Sequence, residues 1–95
     1  MAAYLIVQHS VEDFEKWKPV FDDHGEVRKK HGARGHRLYR STQDPNTLAI
    51  VTEFESVEGA RAFMEDPSLR ETMERAGVSG PPNIWLTEEA ESVQY

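Results

Sequence analysis

The sequence contains no cysteine among its 95 residues. This absence excludes a disulfide framework, a thiolate nucleophile, Cys-ligated zinc and an iron–sulfur cluster. Basic residues are also few, because 11 Lys and Arg stand against 17 Asp and Glu and leave a net charge of −6. Such a charge repels polyphosphates and anionic lipid surfaces, so we expect neither nucleic acid nor a membrane as a partner.

The chain also lacks a long hydrophobic run. Its first apolar stretch, at 4–7, is too short for a signal peptide or a membrane span and has no basic start. A cytoplasmic protein is the default expectation. Hydrophobic residues at 38% and charged residues at 29% are typical of a folded globular chain, and the length predicts one domain, 1–95, with a small core. Oligomerisation is the expected way to bury more apolar area.

The first half of the pattern predicts a strand at 3–10 followed by a helix at 11–31. Ser10 is a candidate cap at the start of this helix, and Gly32 is the expected left-handed residue after its last turn. One helical face collects a stripe of mostly apolar residues at steps of three and four: Phe14, Trp17, Val20, Phe21, His24, Val27, Arg28 and His31.

Two prolines interrupt the helical regions. Pro19 removes a helical hydrogen bond, so the first helix is expected either to kink there or to start near Lys18 after a short turn. Ser56 caps a second helical region, in which Pro67 occupies a favoured first-turn position after one break. Gly77 is the expected stop of this region.

Strand-like segments at 33–42 and 47–54 flank a turn signal at 43–46 and predict a hairpin. A linker at 79–82, rich in Gly and Pro, precedes a short last strand at 83–87. The predicted order is therefore β-α-β-β-α-β. This is the ferredoxin-like α+β plan, in which a four-stranded antiparallel sheet carries the helices on one face.

The first predicted strand is apolar on both of its faces. Leu5 and Val7 share one parity while Tyr4 and Ile6 share the other, and the strand at 47–54 repeats this pattern. Strands that are apolar on both faces are covered on both faces. Helices cover one face, so we infer that the sheet of a second copy covers the other in a twofold homodimer.

Three segments carry a resemblance to a known family: DFEKWKPVFDDH at 13–24, GHRLYR at 35–40 and RAGVSGPP at 75–82. With the element order, they make the chain resemble the dimeric α+β-barrel superfamily, more narrowly the antibiotic-biosynthesis-monooxygenase-like small proteins of bacteria. The resemblance implies a homodimeric barrel with a pocket between sheet and helices in each subunit. It also implies a reaction drawn from cofactor-independent oxygenation of aromatic polyketides, polyketide cyclisation, haem degradation or lactone isomerisation, or no reaction at all. No catalytic motif of a characterised branch lies at matching positions.

His24 is the principal candidate catalytic residue because it lies near the centre of the apolar helical stripe, which places it under the sheet. His9 shares parity with Leu5 and Val7 and is expected on the same side. A buried imidazole can take a proton from a phenol or an activated carbon, as enol chemistry and cofactorless oxygenation require. The alternative is that both histidines are hydrogen-bonded core residues.

A ligand pocket beside these histidines needs apolar walls and polar contacts. Arg28 lies on the buried stripe and needs a partner or a route to water, while His36 lies among arginines that can hold a carboxylate or blunt a sheet edge. Tyr39 can donate to a ligand carbonyl or pack at the barrel interface. The candidate wall residues are Trp17, Phe21, Phe63, Met64 and Trp85.

No metal site is expected, although two iron alternatives stay open. His9, His24 and Glu53 form a possible two-His-one-carboxylate set for non-haem iron, but no short spacing motif supports it. Haem ligation by either histidine is the other alternative. The favoured hypothesis is a cofactor-independent monooxygenase or cyclase acting on a hydrophobic, aromatic or polyketide-like small molecule. A non-catalytic ligand-binding or accessory dimer and a purely structural dimer remain alternatives.

Overall fold

A computed structural model describes residues 2–95 and has the predicted α+β architecture. Its strands form one antiparallel sheet in the order β2-β3-β1-β4, so β2 and β4 are the edges. The ferredoxin-like fold class is therefore confirmed, with each predicted helical region divided into two helices. The elements are β1 Ala3–Val11, α1 Phe14–Asp23, α2 Gly25–Lys30, β2 Ala33–Arg40, β3 Thr47–Phe54, α3 Val57–Met64, α4 Pro67–Ala76 and β4 Val78–Thr87.

The first helical region breaks at His24 and not at Pro19. Helix α1 runs through Pro19, which is solvent-exposed, and His24 ends α1 and precedes α2. The predicted cap is also wrong, because β1 extends to Val11 and leaves Ser10 inside the strand. Asp13 is the cap instead, and its carboxylate accepts a hydrogen bond from the backbone N–H of Glu15 at 3.0 Å.

The second helical region begins, breaks and ends at the predicted residues. Ser56 caps α3, and its hydroxyl accepts from the N–H of Gly59 at 3.0 Å. Pro67 begins α4, for which Asp66 is the cap. Gly77 ends α4 at φ 79°, a left-handed conformation that glycine adopts without the steric cost of a Cβ.

The last strand is longer than predicted, because the segment at 79–82 belongs to β4. Pairing of β4 with β1 runs from Val78 to Thr87 but shifts register between Gln8 and Ser10 of β1. Proline cannot donate to a ladder, and an edge strand at an irregularity is where a sheet tolerates it. The linker interpretation therefore failed because tertiary pairing accommodates these prolines.

The core between sheet and helices is divided into two clusters of buried apolar residues. One contains Leu5, Phe54 and Phe63, and the other contains Trp17 and Leu48. A cavity over the middle of the sheet is lined by residues of both clusters, among them Leu5, Trp17 and Phe63. This position defines the candidate site.

The opposite sheet face carries no helix. Its residues alternate with the buried ones along each strand, and Tyr39 and Trp85 are 50% and 54% exposed there. The apolar and aromatic residues of this face, called the open face below, are Tyr4, Ile6, Tyr39, Ala49, Val51 and Trp85. Among residues 2–95, no helix has both the length and the apolar character needed to cross a bilayer.

Candidate functional site

A cavity of about 80 Å³ lies between the sheet and the helices. Strands β1 and β3 form its floor, and helices α1, α2, α3 and α4 contribute its walls and roof. Ile84 of β4 also lines it and is 37% exposed, so the cavity approaches the surface beside this edge strand. Its chemically distinctive lining residues are His9, Trp17, His24, Arg28, Thr52 and Met64.

His24 enters the cavity from the junction of α1 and α2 and is 7% exposed. Its Nε2 lies 2.9 Å from the hydroxyl oxygen of Ser68, and its ring lies 5.8 Å from the ring of Phe63. Burial lowers the pKa of His24, and the positive charge of Arg28 lowers it further, while Asp66 opposes the shift. The imidazole is therefore neutral at pH 7 and can accept a proton.

His9 enters the same cavity from β1 and is 5% exposed. Its ring lies edge-on to Trp17 at 5.9 Å, and its Nδ1 is buried without a hydrogen-bond partner among the residues that the structure describes. Burial lowers the pKa of His9, while the backbone of Ser10 and of His9 itself opposes the shift. A buried polar atom without a partner is costly, so this nitrogen is available to a ligand.

Arg28 is 7% exposed and lies between the cavity and an open groove that Asp22, Gly25 and His36 also line. Its guanidinium carbon lies 3.9 Å from the centroid of the Phe21 ring, a cation–π geometry. No carboxylate within residues 2–95 forms an ion pair with it. Burial lowers the pKa of Arg28, and nearby Asp22 opposes this effect.

Most of the predicted wall residues line this one cavity, namely Trp17, Phe21, Phe63 and Met64. Trp85 does not, because it pairs with Ile6 and points to the open face. Tyr39 also lies on the open face, opposite Ala49. The expectation that Trp85 forms a wall is therefore wrong, and strand parity is the reason.

His36 lies outside the cavity although it belongs to the helix-side parity of β2. It is exposed, and its ring meets the edge of Phe21 at 5.1 Å. Burial lowers the pKa of His36, with a further contribution from Arg28. Its neighbouring arginines are divided by the strand, because Arg37 lies opposite Val51 on the open face whereas Arg40 stacks over Phe14.

The structure adds polar residues that sequence reasoning missed. Ser68 binds His24 and comes from the first turn of α4, while Thr52 lines the cavity floor from β3. Thr52 had a detectable signal, because it shares parity with Leu48 and Ile50. The partnership of Ser68 with His24 spans 44 residues and has no local signal.

The non-haem iron set does not assemble. Glu53 pairs with Tyr4 on the open face and lies 3.5 Å from Arg34, whereas His9 and His24 are on the helix side. The described part of the chain contains no group of three metal-ligating side chains. Pockets for drug-sized ligands occupy about 300–1,000 Å³, so the cavity as it stands does not hold a group as large as haem.

Comparison with solved structures finds the same fold in oxygenases. SnoaB, a cofactor-independent oxygenase from Streptomyces nogalater, superposes with a TM-score of 0.80 at 12% identity, over 99% of this chain and 98% of that one. The ActVA-Orf6 monooxygenase of Streptomyces coelicolor, solved with nanaomycin D, superposes with a TM-score of 0.71 at 17% identity, over 99% of this chain and 92% of that one. A Bordetella bronchiseptica protein assigned to the antibiotic biosynthesis monooxygenases superposes with a TM-score of 0.77 at 16% identity, over 95% of this chain and 98% of that one.

These likenesses confirm the resemblance to antibiotic-biosynthesis-monooxygenase-like proteins at the level of fold. No protein-family model matches the sequence, and no curated protein matches it. One fold hosts many reactions, so identities of 12–17% establish the architecture and leave the reaction to be argued from the cavity.

Proposed function

We propose that the chain is a small homodimeric enzyme, a cofactor-independent monooxygenase or cyclase that acts on a hydrophobic aromatic or polyketide-like molecule. The observation that carries this proposal is the convergence of two buried imidazoles, His9 and His24, on one apolar cavity. The oxygenases that share the fold support it, since SnoaB is cofactor-independent and the ActVA-Orf6 monooxygenase was solved with the small molecule nanaomycin D.

His24 is the proposed general base. It is neutral at pH 7 for the reasons given above, and Ser68 holds its Nε2. Abstraction of a proton from an activated carbon or phenol produces an enolate or phenolate, which is the species that reacts with dioxygen or with an internal carbonyl. His9 is the proposed second group, because its unpartnered Nδ1 can hydrogen-bond the oxygen of the same substrate.

A ring-sized substrate requires the cavity to enlarge. A cavity of about 150 Å³ is known to hold a benzene molecule, and the volume here is about 80 Å³. Met64 and Met73 line the cavity, and unbranched thioether side chains change rotamer readily. We expect these two methionines to move aside when substrate enters beside Ile84.

The homodimer is the second part of the proposal. The open face exposes Tyr39 and Trp85 around Ile6 and Val51, which is an apolar sheet surface of the kind that proteins cover. The same face also carries Arg37 and Glu53. One basic and one acidic residue on a single patch suit a twofold contact, in which each copy offers both charges.

A non-catalytic ligand-binding dimer is the second candidate function. The observation that favours it is the absence of a carboxylate partner for either catalytic candidate. Within residues 2–95, neither His9 nor His24 forms an ion pair, and His24 is held by a hydroxyl group alone. Catalytic histidines are often oriented by a carboxylate, which neither ring has here.

Anthrone is a suitable probe of oxygenation. Deprotonation at its methylene carbon gives an enolate, and reaction with one dioxygen molecule yields anthraquinone and one water. Oxygen uptake and quinone absorbance measure the same turnover independently. We expect wild-type protein to accelerate both, and His24→Gln to lower kcat about 100-fold or more, because general base catalysis typically contributes about 10²–10⁴-fold.

Arg70→Gln is the control, because Arg70 is exposed on α4 and does not line the cavity. It should retain wild-type turnover. Full turnover by a folded, dimeric His24→Gln protein would remove His24 as the base. Saturable anthrone binding by the wild type without oxygen uptake would support the non-catalytic candidate instead.

A further inference from the structure

Arg28 is a buried charge without an opposite charge at ion-pair distance. Its side chain is 7% exposed, and its closest described aromatic neighbour is Phe21, 3.9 Å away. A guanidinium keeps its charge in proteins, so Arg28 cannot relieve its burial by losing a proton. Buried charges are normally paired. Arg28 therefore carries a positive charge without a contact ion pair, between the apolar cavity and an open groove that Asp22, Gly25 and His36 also line.

The nearby acids are already engaged elsewhere. Asp22, whose negative charge acts on Arg28, binds Lys18 at 2.7 Å. Asp66, which acts on His24, binds His31 at 2.8 Å and also caps α4. Neither carboxylate is within 4.0 Å of the Arg28 guanidinium. The described carboxylates therefore leave a contact position at the guanidinium open to a ligand anion or to solvent.

We propose that the ligand of this cavity carries a carboxylate, which pairs with Arg28 while the apolar part of the ligand lies against Trp17, Phe21 and Phe63. This inference rests on the proposed binding function of the cavity and narrows its substrate class to organic acids. A planar guanidinium matches a carboxylate with two parallel hydrogen bonds. The single cation and the small cavity fit a monoanion better than a phosphate.

The second unpartnered group supports a polar ligand in the same place. His9 Nδ1 is buried in the cavity wall without a hydrogen-bond partner, and it comes from β1 whereas Arg28 comes from α2. Two independent elements thus present unmet polar groups to one apolar volume. An acid with an additional carbonyl or hydroxyl oxygen satisfies both groups, which a hydrocarbon does not.

Three acid–amide pairs test the proposal by titration calorimetry at neutral pH: isobutyrate and isobutyramide, benzoate and benzamide, 2-naphthoate and 2-naphthamide. Each pair has nearly constant shape and differs by one charge. We expect the acid of at least one pair to bind about tenfold more tightly than its amide, because hydrogen bonds between charged groups are about twice as strong as those between neutral groups.

Arg28→Met should abolish that difference, and Arg28→Lys should restore part of it as a point charge. Arg70→Met is the control, because Arg70 is exposed on α4 and its loss changes the net charge equally. Circular dichroism of each variant reports the fold.

Three results would overturn the inference in different ways. Equal affinity for acids and amides, unaffected by Arg28→Met, would refute carboxylate recognition and leave the cavity as a neutral ligand site. Failure of all six probes to bind the wild type would count against the proposed binding function as well. Weaker dimerisation of Arg28→Met, with no loss of acid binding, would show that a carboxylate of a second copy pairs with Arg28.

Discussion

Replacement of Arg28 by methionine should make the ligand-free protein more stable. Methionine keeps the unbranched apolar stem that packs in the cavity wall and removes the charge. After relaxation, a buried ion typically costs several kcal/mol, and an isolated one receives no ion-pair compensation. Against this cost stands the cation–π contact with Phe21, at 3.9 Å, which contributes about 2 kcal/mol or more when desolvated.

The difference between these effects sets the expected magnitude. Attraction from Asp22 and the residual exposure of 7% also reduce the cost of the charge. We expect Arg28→Met to raise the free energy of unfolding by about 1–3 kcal/mol, similar to the gain found when buried ion pairs are replaced by apolar residues. For a chain of this length, each kcal/mol corresponds to about 4–8 °C in Tm.

Urea unfolding at one fixed protein concentration measures the effect, with the fluorescence of buried Trp17 as the signal. Trp85 is exposed, so a Trp85→Phe background isolates that signal. Arg70→Met should stay within about 0.5 kcal/mol of the parent, as surface substitutions usually do. If Arg28→Met lost 1 kcal/mol or more while Arg70→Met did not, the charge would have a stabilising partner and the reasoning would be refuted.

Two further predictions concern the histidines and the open face. Burial lowers the folded-state pKa of His9 and His24 below 6.5, so the unfolded chain takes up protons at a higher pH than the folded protein. The free energy of unfolding should therefore fall as the pH drops from 7 to 5. Urea unfolding midpoints measured across that range test this, and the fall should be smaller for His9→Phe. Sedimentation at micromolar concentration should give a mass of twice 10.9 kDa for the wild type. Trp85→Glu should raise the dissociation constant of the dimer at least tenfold, and Arg70→Gln should leave it unchanged. A midpoint that rises on acidification, or a monomeric wild type, would contradict the respective expectation.

The fold could be predicted from hydrophobic periodicity, strand alternation and helix-ending residues, because each of these depends only on residues that are close together in the chain. The helical stripe and the strand parity of β1 placed His24 and His9 toward the helices without any tertiary information. Gly77 and Pro67 act within one turn of the chain, so their roles were also readable. These are properties of neighbouring residues, which a sequence displays directly.

Other features depend on pairing between distant segments and were not readable. Both parities of β4 contain apolar residues, so only the register against β1, reached across an irregularity, puts Ile84 in the cavity wall and Trp85 on the open face. The contact of His24 with Ser68 likewise requires α4 to pack beside the α1–α2 junction. The cavity itself lies between two core clusters, and no pattern of residues in a sequence predicts where a core leaves a cavity.

The three unfavourable features of this interior lie in one place. An apolar volume of about 80 Å³ deprives its lining side chains of packing contacts, which costs stability. The unpartnered Nδ1 of His9 and the unpaired charge of Arg28 add to that cost. Scattered defects would suggest imperfect packing, whereas the proposed acidic ligand would fill the volume, accept a hydrogen bond from His9 and neutralise Arg28. Because one ligand would remedy all three deficits, their common location supports the proposal that the cavity is a binding site.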